Sequence, residues 1–200
     1  IQSSPTGEVH LPLSPISFPL FPDIHLQEIS MEDAAAIYHA IDTHRDYLRT
    51  WLPFVDNIRT TADEEAFLKQ VLAAPAERYE PIFGIWNQRH EICGLIGFHF
   101  SDFDNHRTEL GYWLLPEYQH RGIVTEGVRK LCLWAIQEKG IKRIQIRCAV
   151  DNAASNAVPV RLGFTHEGTE RCGELLASGE YTDIHIYSIL KEEVQTLLEG

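Results

Sequence analysis

The chain has 200 residues, with 29 acidic side chains against 17 Lys and Arg, a formal net charge of −12, 44% hydrophobic residues and 10% aromatics. It is too apolar for a disordered acidic chain and long enough for one domain with a sizeable core, with or without a tail. The charge argues against a globally basic nucleic-acid binder, and no apolar run is long enough to span a bilayer, so neither nucleic acid nor membrane is expected as a partner.

Residues 1–22 hold five of the ten prolines and lack the basic flank and apolar core of a signal peptide. They read as an irregular or extended arm ahead of a single domain over 23–200. A short strand is predicted over 24–29. Ser30 followed by Asp33 is a weak helix-start signal, and Ala34, Ile37, Ile41 and Leu48 continue a helical spacing to about Trp51 before Pro53 stops it. A second short helix spans 61–71, capped by Thr60 or Thr61, with acids in its first turn. Apolar runs over 81–86 and 92–100 flank a polar turn, and 108–115 follows, closed by Pro116, which suggests an antiparallel meander.

The clearest helix covers 122–139, where Val124, Val128, Leu131, Cys132 and Ala135 form one stripe and Gly140 supplies the C-cap. Residues 142–150 alternate as a half-buried strand. A short helix is predicted over 153–162, strands over 164–168 and 181–190 with a loop at 173–179 between them, and a terminal helix over 191–199. The order implies an α+β, or mixed α/β, fold: one central sheet with helices on its faces and a parallel strand–helix–strand crossover over 108–150.

The charge is uneven along this order. From Gln119 to Arg147 seven bases face two acids, so that segment is +5 and the remainder −17. Residues 23–67 carry ten acids and three bases, and 164–200 eight acids and two bases. A basic island in an acidic chain suggests an anionic ligand, with solvated helix and strand faces as the plain alternative. The four cysteines, Cys93, Cys132, Cys148 and Cys172, are dispersed, so no metal site is expected. They read as buried reduced thiols, and the expected location is cytoplasmic.

The candidate chemical centre is the loop Gln119-His120-Arg121-Gly122-Ile123-Val124-Thr125, which joins a strand to the strongest helix. A helix N-terminus offers free N–H groups and partial positive charge, an arrangement suited to phosphate. Gly122 permits close backbone approach, and His120 and Arg121 add side-chain donors. A glycine here also serves as an ordinary turn residue, and the glycines of a Walker or dinucleotide fingerprint are missing.

The run Gly111-Tyr112-Trp113-Leu114-Leu115-Pro116-Glu117-Tyr118-Gln119-His120-Arg121-Gly122-Ile123 resembles the acetyl-CoA-binding segment of the GNAT superfamily of N-acetyltransferases, whose pattern is Gln/Arg-x-x-Gly-x-Gly/Ala. Asp151-Asn152-Ala153-Ala154-Ser155-Asn156 and Arg161-Leu162-Gly163-Phe164 resemble its second segment. With Leu48-Arg49-Thr50-Trp51-Leu52-Pro53 and Tyr187-Ser188-Ile189-Leu190, the likeness is to the RimJ/RimL ribosomal-protein N-acetyltransferase branch, over about residues 24–192. Val124 departs from the usual Gly or Ala, and His120 stands where Gly is common.

The resemblance implies a GNAT fold, a mostly antiparallel sheet in which acetyl-CoA wedges between two splayed parallel strands, here 108–115 and 142–150. It implies backbone contacts near Trp113 and Leu114 to the pantetheine arm and thioester, a pyrophosphate held by residues Gln119 to Thr125, and pantetheine contacts from Asn152 and Asn156. Asn152 reads equally well as a helix cap. By the same likeness Ser155 is the acid for the leaving thiolate. Glu174, nineteen positions later, is the base acting through water, with Glu109 a second candidate. The plain alternatives are a cap for Ser155, a solvated loop charge for Glu174 and a salt-bridge partner for Glu109. Cys148 is placed beside the thioester tunnel, where mixed-disulfide formation with CoA is conceivable and burial is the default.

The implied activity is transfer of an acetyl group from acetyl-CoA to a primary amine, a peptide N-terminal α-amine or a small amine, by direct attack. A homodimer is compatible with the sequence. The competing reading is a GNAT-fold module that binds CoA or a protein without catalysis, favoured by Val124 and His120.

Overall fold

The computed structural model describes residues 15–199. Of the arm expected over 1–22, residues 1–14 lie outside the described residues. The rest is more regular than expected, because Ser17–Phe21 forms strand β1, paired antiparallel with β2 (Ile24–Glu28). The six other strands are β3 (Ile82–Asn87), β4 (Ile92–Asp102), β5 (Arg107–Leu114), β6 (Arg143–Ala149), β7 (Thr165–Leu175) and β8 (Tyr181–Leu190). They make one sheet in the order β1-β2-β3-β4-β5-β6-β8-β7. Every neighbouring pair is antiparallel except β5 and β6. The mixed α/β class and the parallel pair are as the sequence implied.

Period-two alternation sends the side chains of each strand to opposite faces, and each face has its own core. On one face α4 (Ile123–Lys139), α5 (Ala153–Arg161) and α6 (Val194–Leu198) cover Leu26, Phe83, Ile96, Leu110, Ile144 and Ile146. The predicted stripe of α4 is its buried face: Val128, Leu131 and Cys132 are fully buried. Each such side chain contributes roughly 1.5–3 kcal/mol. Gly127 lets the helix settle onto the sheet, since a Cβ there would come within 2.6 Å of the Ile96 side chain. On the other face α1 (Ala34–Thr43), α2 (Arg45–Arg49) and α3 (Thr61–Leu72) cover Trp86, Leu95, Trp113 and Leu115.

Two elements differ from the sequence expectation. The helix predicted from 34 to 51 breaks at His44. There the Thr43 hydroxyl donates to the His39 carbonyl at 2.7 Å and the His44 ring takes the Ala40 carbonyl at 3.1 Å, so side chains compete for the ladder. The Arg45 guanidinium then ties α2 to the next turn through the Val55 and Ile58 carbonyls. The strand expected over 164–168 runs on to Leu175, so 173–175 is strand rather than loop. Most β7 side chains are exposed, which hides the apolar alternation that marks a strand; pairing with β8 makes it one.

α3 begins as a capping box: Thr60 Oγ1 accepts from the Asp63 N–H, and Asp63 Oδ2 accepts from the Thr60 N–H at 3.0 Å. The next residue, Glu64, is buried, and that burial pushes its carboxyl from an ordinary 4.5 up to about 7. The folded protein therefore keeps a proton that the unfolded chain has lost between those values, and stability falls as pH rises through that window, then levels. Glu64→Gln is expected to match wild type near pH 4 and to exceed it above pH 7 by up to about 3 kcal/mol in urea denaturation. A stability difference that does not vary with pH would contradict this reading.

Candidate active site

β5 and β6 pair over only three positions, Arg107↔Arg143, Thr108↔Ile144 and Glu109↔Gln145. Beyond them the ladder stops while both strands continue. The register of β5 on β4 is in step from Glu109 to Leu114, and the Leu115 N–H donates to the Cys93 carbonyl at 2.8 Å. Alternation then turns the backbone of Trp113 toward β4 and that of Tyr112 and Leu114 toward the gap. Leu114, rather than Trp113, has its N–H on the open side. Trp113 contributes its side chain, which packs with the α1–α3 core.

The gap opens into a cleft of about 650 Å³. Its walls are the backbone and side chains of Tyr112–Leu114, the loop from Gln119 to Thr125, the start of α5 from Asn152 to Ser155, and α2 with the segment after it, from Tyr47 to Leu52. Trp113, Leu114, Gln119, His120, Arg121, Gly122, Ile123, Val124, Thr125, Asn152 and Ser155 are thus brought together. Asn156, Glu174 and Glu109 are not among the lining residues.

Two residues of the loop take left-handed backbone, His120 at φ +65° and Gly122 at φ +72°. Such a conformation disfavours most side chains by about 1–2 kcal/mol. That explains a glycine preference at the His120 position, and His is among the residues that tolerate it best. Gly122 caps α4 without a side-chain bond, and the first ladder bond runs from the Glu126 N–H to the Gly122 carbonyl. Among the described residues no protein acceptor takes the N–H groups of Gly122 to Thr125. Four convergent donors at the positive end of a 17-residue helix suit a polyphosphate anion. The Val124 side chain is buried in the core beneath, so it leaves its N–H free. This removes the feature that favoured a module without catalysis.

The side chains at the loop are partly committed. Arg121 pairs with Asp23 of the β1–β2 turn at 2.7 Å, and that bond holds the Asp23 carboxyl below its usual range. The Gln119 amide donates to the Tyr47 hydroxyl across the cleft. Of the seven bases in the sequence's positive island, Arg129 pairs with Glu126, Arg143 with Glu167 and Arg147 with Glu170, while Lys139 lies 5.3 Å from the Trp134 ring centre. The island is therefore mainly internal pairing, and only Arg121 of it lines the cleft. Sequence reasoning missed a second cleft cation, Arg161 at the end of α5, although the Arg-Leu-Gly-Phe run contained it.

Across the gap, side chains link the parted strands. The Tyr112 hydroxyl donates to the Ser155 carbonyl at 2.8 Å, and Ser155 Oγ lies 3.3 Å from Cys148 Sγ on β6 and 3.5 Å from the Tyr112 hydroxyl. Burial raises both the Tyr112 phenol and the Cys148 thiol, so both stay protonated near neutral pH. Asn152 is the cap of α5, accepting the Ser155 N–H at 3.3 Å, and it also faces the cleft. Asn156 is a strut: its amide donates to the Ala149 and Asn152 carbonyls, and its oxygen accepts from the Tyr187 hydroxyl.

The carboxylates differ. Glu109 is buried at the foot of the gap, accepting from Gln145 Nε2 at 3.0 Å, with His99 Nε2 2.6 Å from its other oxygen. Glu174 lies on β7 opposite Thr182. Partial burial raises its carboxyl, and nearby Arg147 opposes the rise. No group of three His, Cys, Asp or Glu that could hold a metal occurs among the described residues, and no helix there is long and apolar enough to cross a membrane.

Known proteins share this arrangement. The family described as the acetyltransferase (GNAT) domain matches residues 23–165. YdaF of Bacillus subtilis (strain 168), which carries a ribosomal N-acetyltransferase name, is 32% identical over 173 residues, 85% of this chain and 92% of that protein. The ribosomal-protein-serine acetyltransferase of Escherichia coli (strain K12) is 26% identical over 82% of this chain and 91% of its own length. Among solved structures, the microcin C7 self-immunity acetyltransferase MccE in complex with acetyl-CoA and AMP has a TM-score of 0.77 at 29% identity, covering 86% of this chain and 94% of that one. RimL, the ribosomal L7/L12 α-N-protein acetyltransferase in complex with coenzyme A, shares the fold with a TM-score of 0.82 at 24% identity, over 88% and 98% of the two chains. The chain belongs to the GNAT family, on its RimJ/RimL-like branch, and is an N-acetyltransferase.

Proposed function

We propose that this enzyme transfers the acetyl group of acetyl-CoA to a peptide N-terminal α-amine, in the manner of the ribosomal-protein acetyltransferases. The observation that carries the reading is the strand gap, which opens beside four unspent N–H groups at the start of α4. One end suits a pyrophosphate and the other a thioester. Related proteins support it: MccE is in complex with acetyl-CoA, and the Escherichia coli relative is named for a ribosomal-protein serine.

In this reading acetyl-CoA, when bound, supplies the activated acyl group, and the chain's own residues do the rest. Gly122 to Thr125 hold the pyrophosphate through backbone N–H groups, with Arg121 and Arg161 as side-chain cations. The Leu114 N–H donates to the thioester carbonyl oxygen as negative charge develops there. Ser155 supplies a proton to the departing sulfur. Glu174, whose proton affinity burial has raised, accepts the amine's proton through water. Glu109, held by Gln145 and His99, is the less available of the two bases.

A protein α-amine has a pKa of about 7.7–8.0 against about 10.4 for lysine, so a weak base relayed by water is adequate for the former. Thiol release should be followed over a panel of N-terminal peptides, lysine peptides and small amines. The expected result is transfer to the α-amine, with a rate that levels above about pH 8. Saturable acetyl-CoA binding without transfer to any amine, or no binding at all, would sink the proposal.

Glu174→Gln removes the acceptor while keeping the shape. Turnover should drop by about a hundredfold, within the range for a lost general base, with acetyl-CoA affinity unchanged within about twofold. Wild-type turnover in this variant would pass the role to Glu109.

A further inference from the structure

Helix α5 contains Pro159. Proline has no N–H, so the carbonyl four residues earlier loses its intrahelical donor, and that carbonyl belongs to Ser155. The gap in the ladder is filled from outside the helix: the Tyr112 hydroxyl, on β5, donates to the Ser155 carbonyl at 2.8 Å. The Ser155 N–H, one of the orphan donors of the first turn, is taken by the Asn152 side chain at 3.3 Å. Both backbone groups of Ser155 are thus held by side chains, one from its own cap and one from across the strand gap.

We propose that Tyr112 is a positioning residue for the Ser155 hydroxyl, acting through the carbonyl that Pro159 leaves free. The inference rests on the reading of Ser155 as the proton donor to the leaving sulfur. Tyr112 reaches Ser155 from the strand whose backbone faces the thioester, so one hydrogen bond sets the distance between the carbonyl-binding strand and the acid. The phenol stays protonated because burial raises it, so the bond persists across the working pH range. The Ser155 hydroxyl itself has only long contacts, to Cys148 Sγ at 3.3 Å and to the Tyr112 hydroxyl at 3.5 Å. Its placement therefore depends on its backbone.

The pairing of Tyr112 with Pro159 gives a specific test. Tyr112→Phe deletes the outside donor, and Pro159→Ala restores the inside one. Turnover, KM for acetyl-CoA and the urea midpoint should be measured for Tyr112→Phe, Pro159→Ala, the double variant, and Tyr112→Phe on a Ser155→Ala background.

Tyr112→Phe is expected to lower kcat by about ten- to a hundredfold, the scale of a misplaced catalytic group, with KM changed less than about twofold. Pro159→Ala should leave kcat near wild type, and the double variant should regain most of the loss. Tyr112→Phe should add nothing once Ser155 is Ala. Wild-type kcat in Tyr112→Phe would overturn the proposal. So would an equal loss in the double variant, which would mean that the Tyr112 hydroxyl meets the substrate directly. If the wild-type protein transfers acetyl to no amine, the acetyltransferase reading fails by itself. The urea midpoints then decide the pairing: Tyr112→Phe must lower the midpoint and Pro159→Ala must restore it, and a midpoint that is not restored overturns the pairing.

Discussion

Parallel strands β5 and β6 hold to each other over three residue pairs and then part, and most of the molecule is arranged around the consequences. A buried backbone N–H or C=O without a partner is costly, so a sheet cannot open along its middle unless something else satisfies the exposed edges. Here the foot of the gap is pinned by the buried Glu109, which joins β5 to β6 through Gln145 and to β4 through His99. Higher up, Tyr112, Cys148 and Ser155 bridge the space with side chains. Between these two sets of struts, Leu114 presents its backbone to the cleft. What would be a defect in an ordinary sheet is here a line of donors and acceptors held ready for an extended amide-bearing ligand.

The electrostatics follow the same economy. The chain is acidic overall, and its most basic segment pairs mainly with its own carboxylates: Arg143 and Arg147 hold β7 to β6 through Glu167 and Glu170. Little of that charge is left to reach the cleft. The anion-binding capacity lies instead in the geometry of the α4 N-terminus, where backbone groups carry no formal charge and enter no residue count. Arg121 and Arg161 supplement it from two different elements.

Much of this was legible in the sequence. The apolar stripe of α4, its Gly140 cap and the alternation of β6 each correspond to one physical periodicity, and the cleft loop lies where a strand meets that helix. What was not legible depended on partners distant in sequence. β7 has an exposed, mostly polar outer row, so its continuation to Leu175 comes from the ladder with β8 rather than from its own pattern. The break at His44 comes from Thr43, His44 and Arg45 taking carbonyls away from the helix. Asn156 carried the residue type of a ligand contact, and three internal hydrogen bonds make it a strut. Tyr112 was one aromatic in a strand until its hydroxyl was seen against Ser155.

The central claim is that unspent backbone donors along the strand gap and at the start of α4 receive the acyl donor. Amide hydrogen exchange on the protein alone and with saturating acetyl-CoA reads those donors directly. The account predicts new protection at Leu114 and at Gly122 to Thr125, with the paired amides of β7 and β8 unchanged. Protection that falls elsewhere while these amides exchange as before would contradict it.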